Sequence, residues 1–491
     1  MGKAQTLVVG SGVGGLTMAL LLARAGKNVT LVEKQREIGG YLRRFIRKGM
    51  YYDTGFHFSG GFRDVLGQML EILHIGDLVT GSPIYNDIVL RKTGQNIFLP
   101  PSCGYDGVCD IFCSHFPNEK KGLSHLFSAI RDIWKNRSMA DLTDVSPIKF
   151  NITRFDTMTV REYCTELGLS PGAETAAGSF ATCHGSPLAD SPMSFHAVVG
   201  YCLYDSLARP HDGGDAIIKA FKREAAKLGI TVRTDTDLLP FSEPDSAGCC
   251  REARFADGTA IPVEDVFFTI HPRAVSELLP EKARTDQLKR RILRMQETTS
   301  FFCVYYTVDD DVEIQDGLTS CFSENDLDSI LRGTGGYSTG YLAERKNDIS
   351  GRSGITITAF RTMPPLTPEA SRNHKERLHD PAYQEFKTRI TEEITRDLVE
   401  IRPELKGHLH VADAGTPLTC LDYDPPTGSA YGVRCVCGQT RLYGTLPIRN
   451  FHLAGQSASA PGIMGSMMTS FIVFRMVLGD EIYRRVLEGT C

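Results

Sequence analysis

The chain has one tryptophan in 491 residues, so an active site built on an indole cage is not expected. It has no C-x-x-C pair among its fourteen cysteines. Cys103, Cys109 and Cys113 cluster, Cys249 and Cys250 adjoin, and Cys435 and Cys437 flank a valine. None of these has the ligand spacing of a zinc or iron–sulfur site, and they read as free thiols in a reducing compartment. A surplus of charge is missing too, since 54 Lys and Arg against 59 Asp and Glu leave a net charge of −5. With no broad basic field to displace phosphate counterions, nucleic acid is excluded as the main partner. No run of about 20 apolar residues, the length that crosses a bilayer, is present. The nearest, Ile463 to Leu478, is interrupted by Ser466, Thr469, Ser470 and Arg475 and reads as a buried helix. Gln5 to Gly10 already reads as a strand, which leaves no room before it for a basic segment and an apolar leader. These readings predict a cytoplasmic protein whose contact with a membrane, if it makes one, is peripheral.

What is present is concentrated at the N-terminus. Thr6-Leu7-Val8-Val9 is a short apolar run suited to a strand buried on both faces. Gly10-Ser11-Gly12-Val13-Gly14-Gly15 follows at once, then a Leu- and Ala-rich helix to Ala25 that ends at Gly26. A second strand, Asn28 to Val32, ends in Glu33. Here G-x-G-x-x-G stands in its full β-α-β context. Gly10 allows a tight turn, Gly12 lets backbone approach a pyrophosphate, and Gly15 lets the helix pack close on the strand. The helix N-terminus, at Val13 and Gly14, turns free N–H groups and a positive dipole end to the phosphates. Glu33, with Lys34 beside it, stands where a carboxylate accepts from a ribose hydroxyl. Its charge repels a 2′-phosphate, so the dinucleotide is FAD or NAD rather than NADP. The doublet Gly39-Gly40 offers a second backbone approach to the cofactor.

Further along, Ala216 to Leu228 reads as a helix, with strands at Ile230 to Thr234 and Val266 to Ile270. Phe301 to Val308 and Gly354 to Phe360 are strand-like, and Asp380 to Ile401 is a long polar helix. A last strand, Phe451 to Ala454, precedes the long apolar helix. At roughly 150 residues per domain the length allows about three such masses. The pattern predicts an α/β protein whose Rossmann-like nucleotide-binding layer takes residues 1–80, 205–290 and 405–491, with 81–204 and 291–404 forming a discontinuous α+β substrate domain over it.

The N-terminal unit, Gly39-Gly40, the segment Tyr52-Asp53-Thr54-Gly55-Phe56-His57-Phe58-Ser59-Gly60, and Leu453-Ala454-Gly455-Gln456 followed by Gly462-Ile463-Met464-Gly465-Ser466 together resemble the phytoene-desaturase-like branch of FAD-dependent oxidoreductases. Asp-Thr-Gly-x-His, Gly415-Thr416-Pro417-Leu418-Thr419 and Gly428-Ser429-Ala430-Tyr431-Gly432 are most similar to its retinol saturase subgroup. Many relatives carry Arg directly after the glycine doublet, where this chain has Tyr41. Arg43 or Arg44 is left to supply that phosphate contact, with Arg44 as the candidate.

The resemblance implies an amine-oxidase-like (GR2) FAD-binding fold. It implies an FAD lying extended, its ADP half at Gly10, Gly12, Gly15 and Glu33. The isoalloxazine would lie near Gly39-Gly40, with Gly455, Gln456, Met464 and Gly465 at the ring or the ribityl chain. The implied substrate is a lipophilic polyene or isoprenoid, retinoid- or carotenoid-like. Saturation is the preferred direction, with hydride transfer to one carbon and protonation of its neighbour. Desaturation and redox-neutral isomerisation are alternatives, and amine oxidation is a further one. No second dinucleotide fingerprint is visible, so NAD(P)H acts as a transient donor or an electron-donor protein serves. The oligomeric state is left open by the sequence.

His57 is the first candidate for proton transfer, because the reference pKa of imidazole suits neutral pH, and Tyr431 is the second. A structural histidine and a packed aromatic are the competing readings of these two. Asp53 reads as a loop residue accepting backbone N–H bonds, and His184 and His211 are weaker candidates. The basic, amphipathic Leu288 to Arg294 is either a lipid-surface contact or a solvated helix face.

Overall fold

The computed structural model describes residues 4–149, 152–367, 370, 372–423, 426–439 and 444–491. Two seven-stranded sheets organise it. In the first, Phe451–Leu453, Ala260–Phe268, Gln5–Val9, Val29–Val32 and Thr231–Arg233 lie parallel in that order. Gly444–Thr445 and Glu252–Arg254 add antiparallel edges. The inner strands are apolar on both faces, as a parallel sheet covered by helices requires. Helix Val13–Arg24 is buried from Gly14 to Leu22, wedged between this sheet and the last long helix, Gly462–Leu478. That last helix tolerates Arg475 in its interior because the guanidinium bonds Asp480 at 2.9 Å and the carbonyls of Asp144 and Ser146.

The second sheet runs Leu409–Gly415, Ser300–Val308, Ser353–Met363, Ser338–Asn347, Gly317–Phe322, Tyr85–Leu90 and Gln95–Leu99. It is antiparallel except where Gly317–Phe322 meets Tyr85–Leu90. One face packs on helix Pro381–Ile401: Phe302, Val304, Tyr306, Tyr341, Ile357 and Ala359 meet Ile390, Ile394 and Leu398. That helix, long and polar in sequence, is thus buried along one face. Strand Leu409–Gly415 pairs with Ser300–Val308, so the piece expected to rejoin the nucleotide layer at 405 begins in the other sheet and crosses over only after Gly415. Among the described residues no single helix is long and apolar enough to cross a membrane. Gly462–Leu478 and Asp480–Glu488 reach that length and composition only together, across a 118° bend.

Candidate functional site

The turn between the first strand and the first helix is shaped by what its glycines lack. Gly10 has φ +96°, and a Cβ there would lie 2.6 Å from Ile270 Cγ2. A Cβ on Gly15 would lie 1.9 Å from the Gly10 carbonyl oxygen, so helix and strand are in backbone contact. Gly12 is different: its φ is an ordinary −62°, and a Cβ there would meet nothing within 4 Å. The open space beside it belongs to a cavity of about 700 Å³. No side chain caps the helix that starts at Val13, which leaves its first N–H groups for an anion in that cavity.

Glu33 lines the same cavity. Its Oε2 accepts from the Ser11 N–H at 2.9 Å and the Ser11 hydroxyl at 2.5 Å, and Oε1 accepts from the Gln35 N–H at 2.9 Å. A carboxylate accepts about four hydrogen bonds, so capacity for a ribose hydroxyl remains. Ser11 also ties the doublet into place, since its carbonyl accepts from Gly39 N–H at 3.0 Å. Gly39 has φ +117°, and Gly40 backs onto Gly12, whose Cα lies 3.5 Å from where a Gly40 Cβ would sit. Lys34 lines the cavity rim and pairs with Asp237 at 3.5 Å. Open space at Gly12, uncapped N–H groups and a carboxylate at the end of the second strand fit the ADP half of FAD.

Two expectations about this end need correction. Arg44 is held away from the cavity: its Nε bonds Asp215 at 2.9 Å, and its guanidinium lies over the Tyr51 ring. Arg43 lines the cavity instead, over the Tyr423 ring on which Tyr41 also stacks. Met464 turns into the core, its sulfur close to Gly61, and it is Gly462, Ile463 and Ser466 that line the cavity. Gln456 lines it as well. Gly455 lies in the turn before Gln456 with φ +81°, and Gly465 lies in the first turn of helix Gly462–Leu478, where a Cβ would fall 2.7 Å from the Ala460 backbone.

The other end of the cavity is a face of the second sheet. Side chains alternate along a strand, and Phe301 and Cys303, Leu318 and Ser320, Ser338 and Gly340 are i, i+2 pairs that line it. Cys303, Phe360, Gly340 and Ser320 stand opposite one another on successive strands, forming one row. The Phe360 ring covers Gly340, where a Cβ would come within 2.3 Å of it. Rings then continue in both directions: His57 stacks on Phe360 at 5.6 Å, Phe301 meets Phe360 edge-on at 6.2 Å, and Tyr431 meets Phe301 edge-on at 6.1 Å. The two residues singled out for proton transfer thus end one aromatic wall.

Burial decides their protonation. It pulls the His57 imidazole down to about 4, against the nearby Glu344 carboxylate, and leaves its Nδ1 without a hydrogen-bond partner. His57 is therefore neutral at pH 7 and holds no proton to donate as an imidazolium. Burial holds the Tyr431 hydroxyl protonated, far above the usual phenol range. Asp53 does not line the cavity or serve mainly as a backbone acceptor, since its buried Oδ1 has no partner. Burial, and then repulsion from Glu344, push Asp53 up to about 7. Burial also opposes the charge on Glu344, but Lys346 and Arg209 overcome it and keep Glu344 ionised.

His184 is wholly buried behind the site: its Nδ1 accepts from Ser186 N–H at 3.2 Å, so Nε2 carries the proton and donates to His196 Nδ1 at 3.0 Å. His211 sits outside the cavity between Thr80 and Ser82. Helix Asp286–Leu293 buries Leu288 and Ile292 and leaves Leu293 exposed. Sequence reasoning missed His271, which lines the cavity just after the strand Ala260–Phe268. Its Nε2 lies 3.2 Å from Glu297, whose other oxygen accepts from Ser429. His271-Pro272 at a strand end was the only local signal for it.

Comparisons with known proteins agree with this geometry. The model of the NAD(P)-binding Rossmann-like domain matches residues 8–73. The chain is 22% identical to all-trans-retinol 13,14-reductase of Rattus norvegicus, over 98% of this chain and 86% of that one. It is 23% identical to phytoene desaturase of Fusarium fujikuroi, over 59% and 53% of the two chains. Among solved structures, an oxidoreductase from Methanosarcina mazei superimposes with a TM-score of 0.65 at 14% identity, covering 96% of this chain and 99% of that one. Putrescine oxidase bound to putrescine does so with a TM-score of 0.63 at 14% identity, covering 97% and 99%. The fold is thus a Rossmann-like layer in an architecture shared with the amine oxidases, and the resemblance to the retinol reductases and phytoene desaturases extends well beyond the N-terminal motif.

Proposed function

We propose that this protein is an FAD-dependent oxidoreductase acting on carbon–carbon double bonds of a lipophilic polyene, retinoid- or carotenoid-like, with saturation as its direction. One observation carries the reading. A single cavity joins the open space at Gly12 to an aromatic and aliphatic wall of Phe56, Phe58, Phe301, Leu318, Phe360 and Tyr431. The relatives named for retinol reduction and phytoene desaturation support the same substrate class, and the amine-oxidase neighbours speak only to the fold.

FAD held by Gly12, the Val13 helix N-terminus, Glu33 and the Gly39-Gly40 doublet would supply hydride exchange with a substrate carbon. The protein's own residues do the rest. The aromatic wall excludes water and aligns a flat conjugated chain. Tyr431 is the proton donor for saturation, because a conjugated carbanion is a far stronger base than a buried phenolate. His57, neutral with an unpartnered Nδ1, accepts a proton or a hydrogen bond rather than giving a proton. That feature favours a second reading, desaturation, in which His57 takes the proton that leaves the substrate.

Electrons for saturation come from NAD(P)H bound transiently or from a protein donor, and the exposed Leu293 on a basic helix supports a peripheral lipid contact. The test is anaerobic. The purified protein is reduced and offered retinoids, carotenoids and quinones while flavin absorbance and product mass are followed. Reoxidation with a gain of two hydrogens supports saturation. Reduction of oxidised flavin with a loss of two supports desaturation, and unchanged mass marks isomerisation. A protein that takes up no flavin, or whose reduced flavin no polyene reoxidises, overturns the proposal. Tyr431→Phe keeps the ring but should slow saturation by about 10²- to 10⁴-fold, the usual weight of a general acid.

A further inference from the structure

At the end of the second sheet remote from the glycine-rich turn, strand Ser300–Val308 runs into Asp309-Asp310-Asp311, beside the start of strand Leu409–Gly415. We propose that His408, Asp309 and Asp311 form a binding site for a divalent transition-metal ion, of the class that prefers mixed imidazole and carboxylate ligands. His408 Nδ1 lies 3.1 Å from Asp309 Oδ2 and 3.6 Å from Asp311 Oδ1, and the three ligand atoms all fall within 4.8 Å of one another. Ligand atoms at Zn–N and Zn–O distances of about 2.0–2.2 Å around a tetrahedral ion stand about 3.4 Å apart, so little movement is needed.

The backbone sets these atoms in place. Val308 pairs with Leu409, and Asp309 N–H donates to the His408 carbonyl at 3.3 Å, which puts the two side chains next to each other. Val312 N–H bonds back to the Asp309 carbonyl, and the buried Val312 side chain anchors the turn that returns Asp311 to His408. His410, two residues along the strand from His408, contacts the other oxygen of Asp309 through Nε2 at 2.8 Å. That is the outer contact that commonly orients a ligating carboxylate.

Charge points the same way. Among the described residues, the only basic groups within ion-pair distance of Asp309 and Asp311 are these two imidazoles. Two carboxylates therefore converge with no permanent positive charge between them, and a divalent cation supplies it. Solvent would complete the fourth position, since Asp311 is largely exposed. The ion would tie the Asp309–Val312 turn to strand Leu409–Gly415, whose continuation brings Cys420 and Tyr423 to the cavity wall. This site is independent of the proposed polyene chemistry.

The full-length protein, stripped with a chelator, is titrated with Zn²⁺ by calorimetry and followed by thermal unfolding, with Mg²⁺ as the hard-cation control. We expect one Zn²⁺ per chain whose binding raises Tm, and no comparable effect of Mg²⁺. His408→Ala and Asp311→Asn, both at solvent-accessible positions, should abolish that equivalent while flavin content stays unchanged. His410→Ala should weaken it by about 10-fold, in the range for outer-shell partners. No Zn²⁺ uptake overturns the proposal. So does uptake that survives in His408→Ala, which would assign the ion to cysteine thiols elsewhere, or Mg²⁺ binding as tight as Zn²⁺, which would mark a plain acidic cluster.

Discussion

The two sheets bound one cavity but are built by opposite logic. The first is parallel apart from two short edge strands, its inner strands are buried on both faces, and it meets the cavity through backbone: a glycine turn, a helix N-terminus and a glycine doublet. The second is largely antiparallel, with one face on helix Pro381–Ile401 and the other face itself the cavity wall. Backbone recognition depends on absent side chains at fixed positions, so it leaves a local sequence signature. Side-chain recognition depends on residues that become neighbours only when strands pair.

The contrast can be broken most severely at Gly15. Gly15→Val drives a side chain into the Gly10 carbonyl, and the backbone there cannot yield. Loss of the folded state is expected, more than about 4 kcal/mol, read by circular dichroism and soluble yield. Gly12→Leu, three residues earlier, should do something different. Its side chain enters open space at an ordinary φ, so thermal unfolding without cofactor should match the wild type, while bound flavin falls at least about tenfold, or 1.4 kcal/mol. If Gly12→Leu keeps its flavin, the assignment of this end to the cofactor fails.

On the opposite wall, Gly340→Val should leave flavin bound but push the Phe360 ring into the cavity. A stability cost of about 1–3 kcal/mol from overpacking and a raised KM for long polyenes are expected. Unchanged KM would remove Phe360 from the substrate wall. The smallest effects are in pH dependence and have opposite signs. His196 is held at about 4 by burial, below its unfolded value, so its contribution to stability is present above pH 6.5 and is lost as pH falls through 4. His196→Gln should flatten acid destabilisation over that window by about 1–2 kcal/mol. Asp53 is held up at about 7, so its contribution is present below the unfolded carboxylate range and is lost as pH rises through 7. Asp53→Asn should flatten the stability profile between pH 4 and 7 in the opposite sense, measured by denaturant titration at each pH.

Legibility in the sequence followed the same division. The first strand, first helix and Glu33 were readable because a parallel β-α-β unit is closed within about 30 residues. The helices Gly213–Leu228 and Gly462–Leu478 announced themselves by flanking glycines and an apolar run. The strands Tyr85–Leu90 and Gln95–Leu99 did not, because they are short and interrupted by polar residues, and Tyr85–Leu90 is held in the sheet by Gly317–Phe322, more than 200 residues away. Arg43 and Arg44 could not be told apart locally. Asp215 at the start of a distant helix captures one of them.

Residue type and spacing alone settled that a dinucleotide-binding crossover opens this chain, that a glycine must stand at positions 10 and 15, and that a carboxylate waits at 33. These follow from short-range sterics, which neighbours in the chain impose on one another. Protonation was decided by the tertiary structure. The reference pKa of His57 suggests an acid near neutrality, and burial against Phe360 makes the ring a neutral acceptor. Asp53 reads as an ordinary loop carboxylate, and burial, then the Glu344 carboxylate from another sheet, drives it toward its protonated form. Desolvation and charge depend on what surrounds a group in space, and the sequence around it carries no record of that.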